Sequence, residues 1–212
     1  MRINMKKILL PIALVATLAV AWSVNYNEIR RPYTLEEVSL QHEPGEMFYF
    51  TPKQADAQVA GSITGAGAWG YMIPVFNVQA DTTIFAGSVV CWDTTATIKK
   101  AGVKLYSGTL SDRKKVAGIA VGDIQRAQLG NGRGTILVWG YSPSIKSSTS
   151  DGIVAGSPFR VSTVNGAMVN AGDSLSMQAG YCTGGVAGTY QTTSRIKGYV
   201  TLIGGSRTVL IR

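Results

Sequence analysis

The chain offers few side chains able to do covalent chemistry: one histidine, His42, and two cysteines, Cys91 and Cys182, in 212 residues. Nucleophilic catalysis needs a base beside the nucleophile, most often histidine. His42 lies in a polar stretch ending Glu43-Pro44-Gly45-Glu46, and no Gly-x-Ser-x-Gly elbow accompanies it. It reads as a plain surface histidine. A paired-carboxylate mechanism would have to draw on Asp93, Asp112, Asp123, Asp151 or Asp173, but these mostly adjoin Gly, Ser or Thr, where aspartate bonds its own backbone in turns. The cysteines lack Cys-x-x-Cys spacing, which argues against zinc. They read either as one disulfide, if the body is exported, or as two buried small apolar residues in a reducing compartment. The string Gly61-Ser62-Ile63-Thr64-Gly65-Ala66-Gly67-Ala68-Trp69-Gly70 lacks the Gly-Lys-Ser/Thr ending of a phosphate loop and reads as a connector. The expectation is a protein that is not an enzyme and carries neither cofactor nor metal.

The elements that position these residues follow from composition. Hydrophobic residues make up 45% and charged residues 15%, with 25 glycines. High apolar content excludes a solvated disordered chain, and abundant glycine and threonine weigh against a helical bundle. A weakly charged chain of this kind reads as β-structure with tight turns and a surface covered by partners.

The net charge of +8 is unevenly placed. Residues 1–93 carry six Lys/Arg against eight Asp/Glu, net −2, whereas residues 94–212 carry fourteen against four, net +10. A basic half and an acidic arm suggest attraction between subunits or to an acidic scaffold. The densest basic cluster, Lys99, Lys100, Lys104, Arg113, Lys114 and Lys115, is the candidate interaction patch. Its neighbours Gly102, Gly108, Ser111 and Asp112 look like turns, so solvated loop charge is the plain alternative. Nucleic acid is the rival partner and is not favoured, because no reader motif or Lys/Arg–aromatic interleaving is evident.

Residues 1–24 form an apolar N-terminal segment. Arg2, Lys6 and Lys7 precede the uncharged run Ile8–Val24, which ends near Ala19-Val20-Ala21. This pattern fits a secretory signal peptide. It also fits a retained membrane anchor, since 17 residues span about 25 Å as a helix. A third reading is an arm buried in a neighbouring subunit. Residues 25–58 read as a polar, acidic, mostly extended linker in which Thr34-Leu35-Glu36-Glu37-Val38 opens a short helix through a capping box.

Residues 59–212 read as a β-rich body. Strands are expected at 71–78, 83–92, 103–105, 115–121, 134–141, 158–161, 167–170, 174–179 and 196–203. Asn165-Gly166 and Asp151-Gly152 supply the positive φ angles of tight hairpins. Asp123–Leu129 is the one short helix candidate. The expected fold is all-β, a sandwich or barrel of short antiparallel strands, preceded by the apolar helix and the linker. Ala86-Gly87-Ser88, Ala155-Gly156-Ser157 and Ala171-Gly172-Asp173 reuse one turn at the entry to a strand.

The runs Ala86-Gly87-Ser88-Val89-Val90, Val116-Ala117-Gly118-Ile119-Ala120-Val121 and Gly134-Thr135-Ile136-Leu137-Val138-Trp139-Gly140 succeed one another in the body. Ile153-Val154-Ala155-Gly156-Ser157-Pro158 and Val164-Asn165-Gly166 follow. In this order of turns and strands, residues 75–203 resemble the β-rich virion proteins of tailed bacteriophages, of the head-decoration or capsid-stabilising type. The resemblance implies a homo-oligomeric virion subunit whose partners are further copies of itself and other capsid proteins. The apolar segment departs from a soluble decoration protein and adds a possible membrane contact through residues 8–24. The alternative expectation is an exported or membrane-anchored bacterial β-domain, an adhesin or envelope-interaction module of the cell envelope or secreted space.

Overall fold

The structure, a computed structural model, describes residues 34–56, 67–93, 101–127, 132–148, 153–163, 165–172, 178–185 and 194–202. The apolar segment 8–24, Lys99, Lys100 and the Asp151-Gly152 turn lie outside the described residues. No helix among the described residues is long and apolar enough to cross a membrane.

Thr34 opens α1 (Leu35–Gln41) as its sequence predicts. Its hydroxyl accepts from the Glu37 N–H at 3.2 Å, and the Glu37 carboxylate accepts from the Thr34 N–H at 2.8 Å. The stretch read as linker is structured beyond this helix. Phe48–Phe50 forms β1, with both phenylalanines buried and Tyr49 exposed, and α2 (Pro52–Asp56) follows. That inside–outside alternation is strand periodicity compressed into three residues, which is why it escapes a windowed reading.

About half of the described residues lie in β-strands. The strands are β2 (Trp69–Asn77), β3 (Val89–Trp92), β4 (Gly102–Leu105), β5 (Val116–Ala120), β6 (Arg133–Ser147), β7 (Pro158–Val161), β8 (Met168–Asn170), β9 (Gln178–Gly185) and β10 (Ser194–Thr201). A four-residue helix, α3 (Leu110–Arg113), lies between β4 and β5 where only turns are expected. The ten strands form one sheet in the order β1-β2-β4-β3-β5-β6-β10-β9-β7-β8, and the further pairings β2–β6 and β6–β8 close it twice. The 15-residue strand β6 belongs to both closed rings. Two pairings, β2–β4 and β6–β8, are parallel. The sheet is therefore mixed, and β6 is long, where the sequence leads one to expect short antiparallel strands.

Several expected boundaries move for local reasons. The 83–92 strand begins only at Val89, because Gly87 turns the chain at φ 77. Before that turn Ile84 exchanges backbone bonds with Ile124 at 3.0 and 2.8 Å, which also replaces the helix expected from Asp123. Of the expected 174–179 strand, residues 174–177 lie outside the described residues, and Gln178 and Ala179 open β9, which runs on to Gly185. Asn165-Gly166 joins β7 to β8 as an antiparallel hairpin, as expected.

Pro74 sits inside β2 without harm to the ladder. Its carbonyl accepts from Gly45 N–H at 2.8 Å on the side away from β6. A residue's N–H and C=O point to the same side of a strand, so the missing donor faces the gap between β1 and β4 rather than β6. Adjacent residues of the first ring, such as Met72 and Ile73, Val89 and Val90, or Ile136 and Leu137, belong to two different buried apolar clusters. Over these stretches the strands are thus covered on both faces.

Hydrogen bonds outside the strand ladders also tie the rings together. Lys146 N–H donates to Gly87 O at 2.9 Å, the buried Tyr106 hydroxyl donates to Ser162 O at 2.8 Å, and the buried Arg195 guanidinium donates to Ala86 O.

Candidate functional site

The most distinctive surface lies where the two rings share β6. Trp69-Gly70-Tyr71 in β2 runs antiparallel to Trp139-Gly140-Tyr141 in β6, so Trp69 faces Tyr141, Gly70 faces Gly140 and Tyr71 faces Trp139. The outward residues continue across neighbouring strands. One row runs Tyr49–Tyr71–Trp139–Thr201, and the next runs Trp69–Tyr141–Tyr199–Tyr181. Ring centroids are 5.1 Å apart for Tyr49–Tyr71, 5.8 Å for Tyr71–Trp139 and 5.5 Å for Tyr141–Tyr199. Trp69 stacks on Tyr141 at 6.3 Å and meets Tyr199 edge-on at 5.8 Å. Tyr49, Tyr71, Trp139, Tyr181 and Tyr199 remain between 40% and 49% exposed.

Between these rows runs an inward one: Phe50, Gly70, Gly140, Val200, Gly180 and Phe159. Phe50, Val200 and Phe159 are fully buried. Gly70 and Gly140 have φ of 136° and 129°, and a Cβ on either would collide with the carbonyl of the tryptophan across the ladder. Gly180 and Gly198 lie under the Phe159 ring, where a side chain would meet its edge carbons. Glycine thus admits the close backbone approach on the inside, while the residue after each glycine holds an aromatic ring outside.

The face is polar only at its hydroxyls and at the indole N–H groups of Trp69 and Trp139. Burial pushes the Tyr141 phenol above its ordinary value, and the neighbouring Tyr199 adds to this, against a hydrogen bond with Thr183. The Tyr181 hydroxyl donates to the Gln178 side-chain oxygen at 2.9 Å. With its phenols and indoles, the arrangement offers stacking, dispersion and hydrogen bonding.

The residues singled out in the sequence lie elsewhere. Lys104 Nζ is 3.4 Å from Asp112 Oδ1, and Arg113 Nε donates to the Tyr106 hydroxyl at 3.4 Å. These two cations are engaged within the fold, while Lys114 is exposed and Lys115 half-buried. Asp112 is itself buried and accepts from Ser107 Oγ at 2.5 Å, and Asp123 accepts from Ala86 N–H at 2.8 Å. Both carboxylates hold loops in place. His42 stacks on Phe48 at 4.8 Å and pairs through Nδ1 with Glu46 at 3.2 Å.

Cys91 and Cys182 are both free and buried, on strands β3 and β9, which are not neighbours in the sheet. The disulfide reading is therefore replaced by the buried-thiol one. Their sulfhydryls point to the Lys104 and Gly184 carbonyls. Among the described residues no group of three His, Cys, Asp or Glu could hold a metal ion.

Sequence reasoning misses the aromatic face because it weighs Trp69, Trp92 and Trp139 singly, as core or interface residues. The signal is present as a repeated dipeptide: Gly70-Tyr71, Gly140-Tyr141, Gly180-Tyr181 and Gly198-Tyr199, one in each of the four adjacent strands β2, β6, β9 and β10. No protein-family model matches the chain, and no curated protein is detectably similar to it.

Proposed function

We propose that the chain is a non-enzymatic virion structural protein, a capsid or head-decoration subunit that assembles as a homo-oligomer. The observation that carries this reading is the aromatic face, which is uncharged in a chain of net charge +8. Aromatic residues are enriched and charges depleted at the centres of protein interfaces. The succession of Ala-Gly turns and Val-rich strands, similar to that of tailed-phage virion proteins, supports the same reading. On this view the two closed rings are small five-stranded barrels fused along β6, a form without long open edges. The basic cluster around Lys114 then meets an acidic neighbour in the shell. Mass spectrometry of purified particles tests the proposal: it should find the chain in many stoichiometric copies. Recovery from host membranes alone, never from particles, would overturn it.

A second reading is favoured by one observation, the basic start, apolar run and Ala19-Val20-Ala21 triplet of residues 1–24. It makes the chain an exported or membrane-anchored β-domain of a bacterial envelope. N-terminal sequencing of the natural protein separates the cases. A start at Trp22 supports export, and one near Met1 supports retention.

A further inference from the structure

We infer that the aromatic face of β1, β2, β6, β10 and β9 is the seat of a second copy of this chain, met face to face. This deepens the assembly reading above and rests on it. The area of the face fits such an occupant. A large aromatic side chain carries roughly 150–250 Å² of buriable surface, so the five exposed rings together present on the order of 450 Å². That already reaches the size of the largest apolar patch on a typical monomer. It is also about half of the ~800 Å² that each partner buries in a stable complex, with flanking Trp69, Tyr141, Thr183 and Thr201 available to extend it.

Charge points the same way. Two copies of a chain with net charge +8 repel each other over most of their surfaces. The two rows contain no charged residue, and Lys197, two residues from Tyr199 on β10, stands at their margin. This patch is where like copies can meet without opposed cations. The same lack of Lys and Arg within the rows argues against a nucleic-acid strand, whose phosphates need a basic track beside the stacking rings.

The face is also ordered before any partner arrives. The rings are held by one another and by their ladder neighbours, and Tyr and Trp have few rotatable bonds, so docking freezes little additional motion. Strand addition offers less, because double closure leaves the three-residue β1 as the unclosed edge among the described strands.

The test is sedimentation equilibrium and light scattering of the full-length chain over a wide concentration range. Wild type should self-associate. Trp139→Ser, and independently the pair Tyr181→Ser with Tyr199→Ser, should weaken association roughly tenfold to a hundredfold with the melting temperature nearly unchanged. Lys114→Glu should leave association intact. A monomeric wild type overturns the inference. So does an oligomer indifferent to both aromatic variants, which would place the contact in the apolar segment 8–24 or elsewhere. A monomer that binds a single-stranded oligonucleotide, or a soluble polysaccharide, and loses it on Trp139→Ser overturns it in favour of that ligand. The two proposals fail separately. A monomeric chain still recovered from particles sinks this one and leaves the virion-subunit reading standing without its self-association, whereas an aromatic-driven oligomer found only in host envelopes sinks the virion reading alone.

Discussion

Gly70 and Gly140 lie directly opposite each other in the β2–β6 ladder, and each occupies the place where a Cβ would strike the carbonyl of the tryptophan preceding the other. The pair is what allows two Trp-Gly-Tyr segments to run past one another with their rings on the same outer face.

Alanine at either glycine combines a disfavoured φ with a backbone collision. Gly70→Ala or Gly140→Ala should cost at least ~2 kcal/mol, lowering the melting temperature by about 4–8 °C for a chain of this size. Gly156 also has positive φ, but nothing lies within 4 Å of where an alanine methyl would sit, so Gly156→Ala should cost only about 1 kcal/mol. Equal melting temperatures for Gly70→Ala and wild type in a thermal scan would show that the close approach has been misjudged.

Arg133 fastens α1 to the sheet. Its Nη2 donates to Ser39 O at 2.7 Å and His42 O at 2.9 Å, satisfying carbonyls at the end of the helix, and Thr135 donates to Ser39 Oγ at 3.0 Å beside it. Arg133→Ala should release residues 34–46 while β1 stays paired. Hydrogen exchange should rise in α1, and protease cleavage should appear there first, with a loss of roughly 1–3 kcal/mol. Uniform loss of protection across the sheet would contradict this local role.

Asp112 gives the fold an acid limit. The Ser107 hydroxyl, and then the charge of Lys104, hold its carboxyl below the ordinary value against the opposing effect of burial. A folded-state pKa below the unfolded one means that the native chain binds the proton less readily. The stabilisation is therefore complete above the unfolded value of ~4 and is lost as pH falls through the depressed folded value. Asp112→Asn, which imitates the protonated carboxyl, should lower stability near neutral pH and flatten the acid limb, leaving stability at the acid end nearly unchanged. A variant as acid-sensitive as wild type would remove Asp112 from the explanation.

Burial pushes the Cys91 thiol up to about 11, with Asp112 adding to the effect. The thiol stays protonated near neutrality and is a poor nucleophile. Native protein should react slowly with a thiol reagent at both buried cysteines, and the unfolded chain should label at two sites without prior reduction. Rapid native labelling of Cys91, or an unfolded chain needing reductant, would contradict the structure.

Local features are legible in the sequence, and long-range ones are not. Thr34 and Glu37 announce α1 because the capping box is written within four residues, and Asn165-Gly166 announces a hairpin because its backbone demands positive φ. The β-rich texture expected from residue 59 onward is met among the described residues, because short apolar runs closed by turn residues are also local. Nothing local tells Trp69 that it will face Tyr141, or that β6 will continue past Tyr141 to Ser147, since those outcomes depend on β2 and β10 arriving from distant parts of the chain. The basic cluster looks like a surface patch because sequence proximity hides the Asp112 carboxylate that Lys104 meets and the Tyr106 hydroxyl that Arg113 meets. The four Gly-Tyr dipeptides are visible in the sequence, but their meaning emerges only when strand order lines them up.

The shared strand β6 has a consequence for how the chain is born. The first ring cannot close until the ribosome has delivered residues well past Val138, and the second waits for β10, which ends at Thr201. Early strands such as β2 and β3 must therefore linger without their final partners during synthesis, and such non-local closure is slow. Once closed, neither ring can open along β6 without exposing the other, so the two halves are expected to melt together, in one transition.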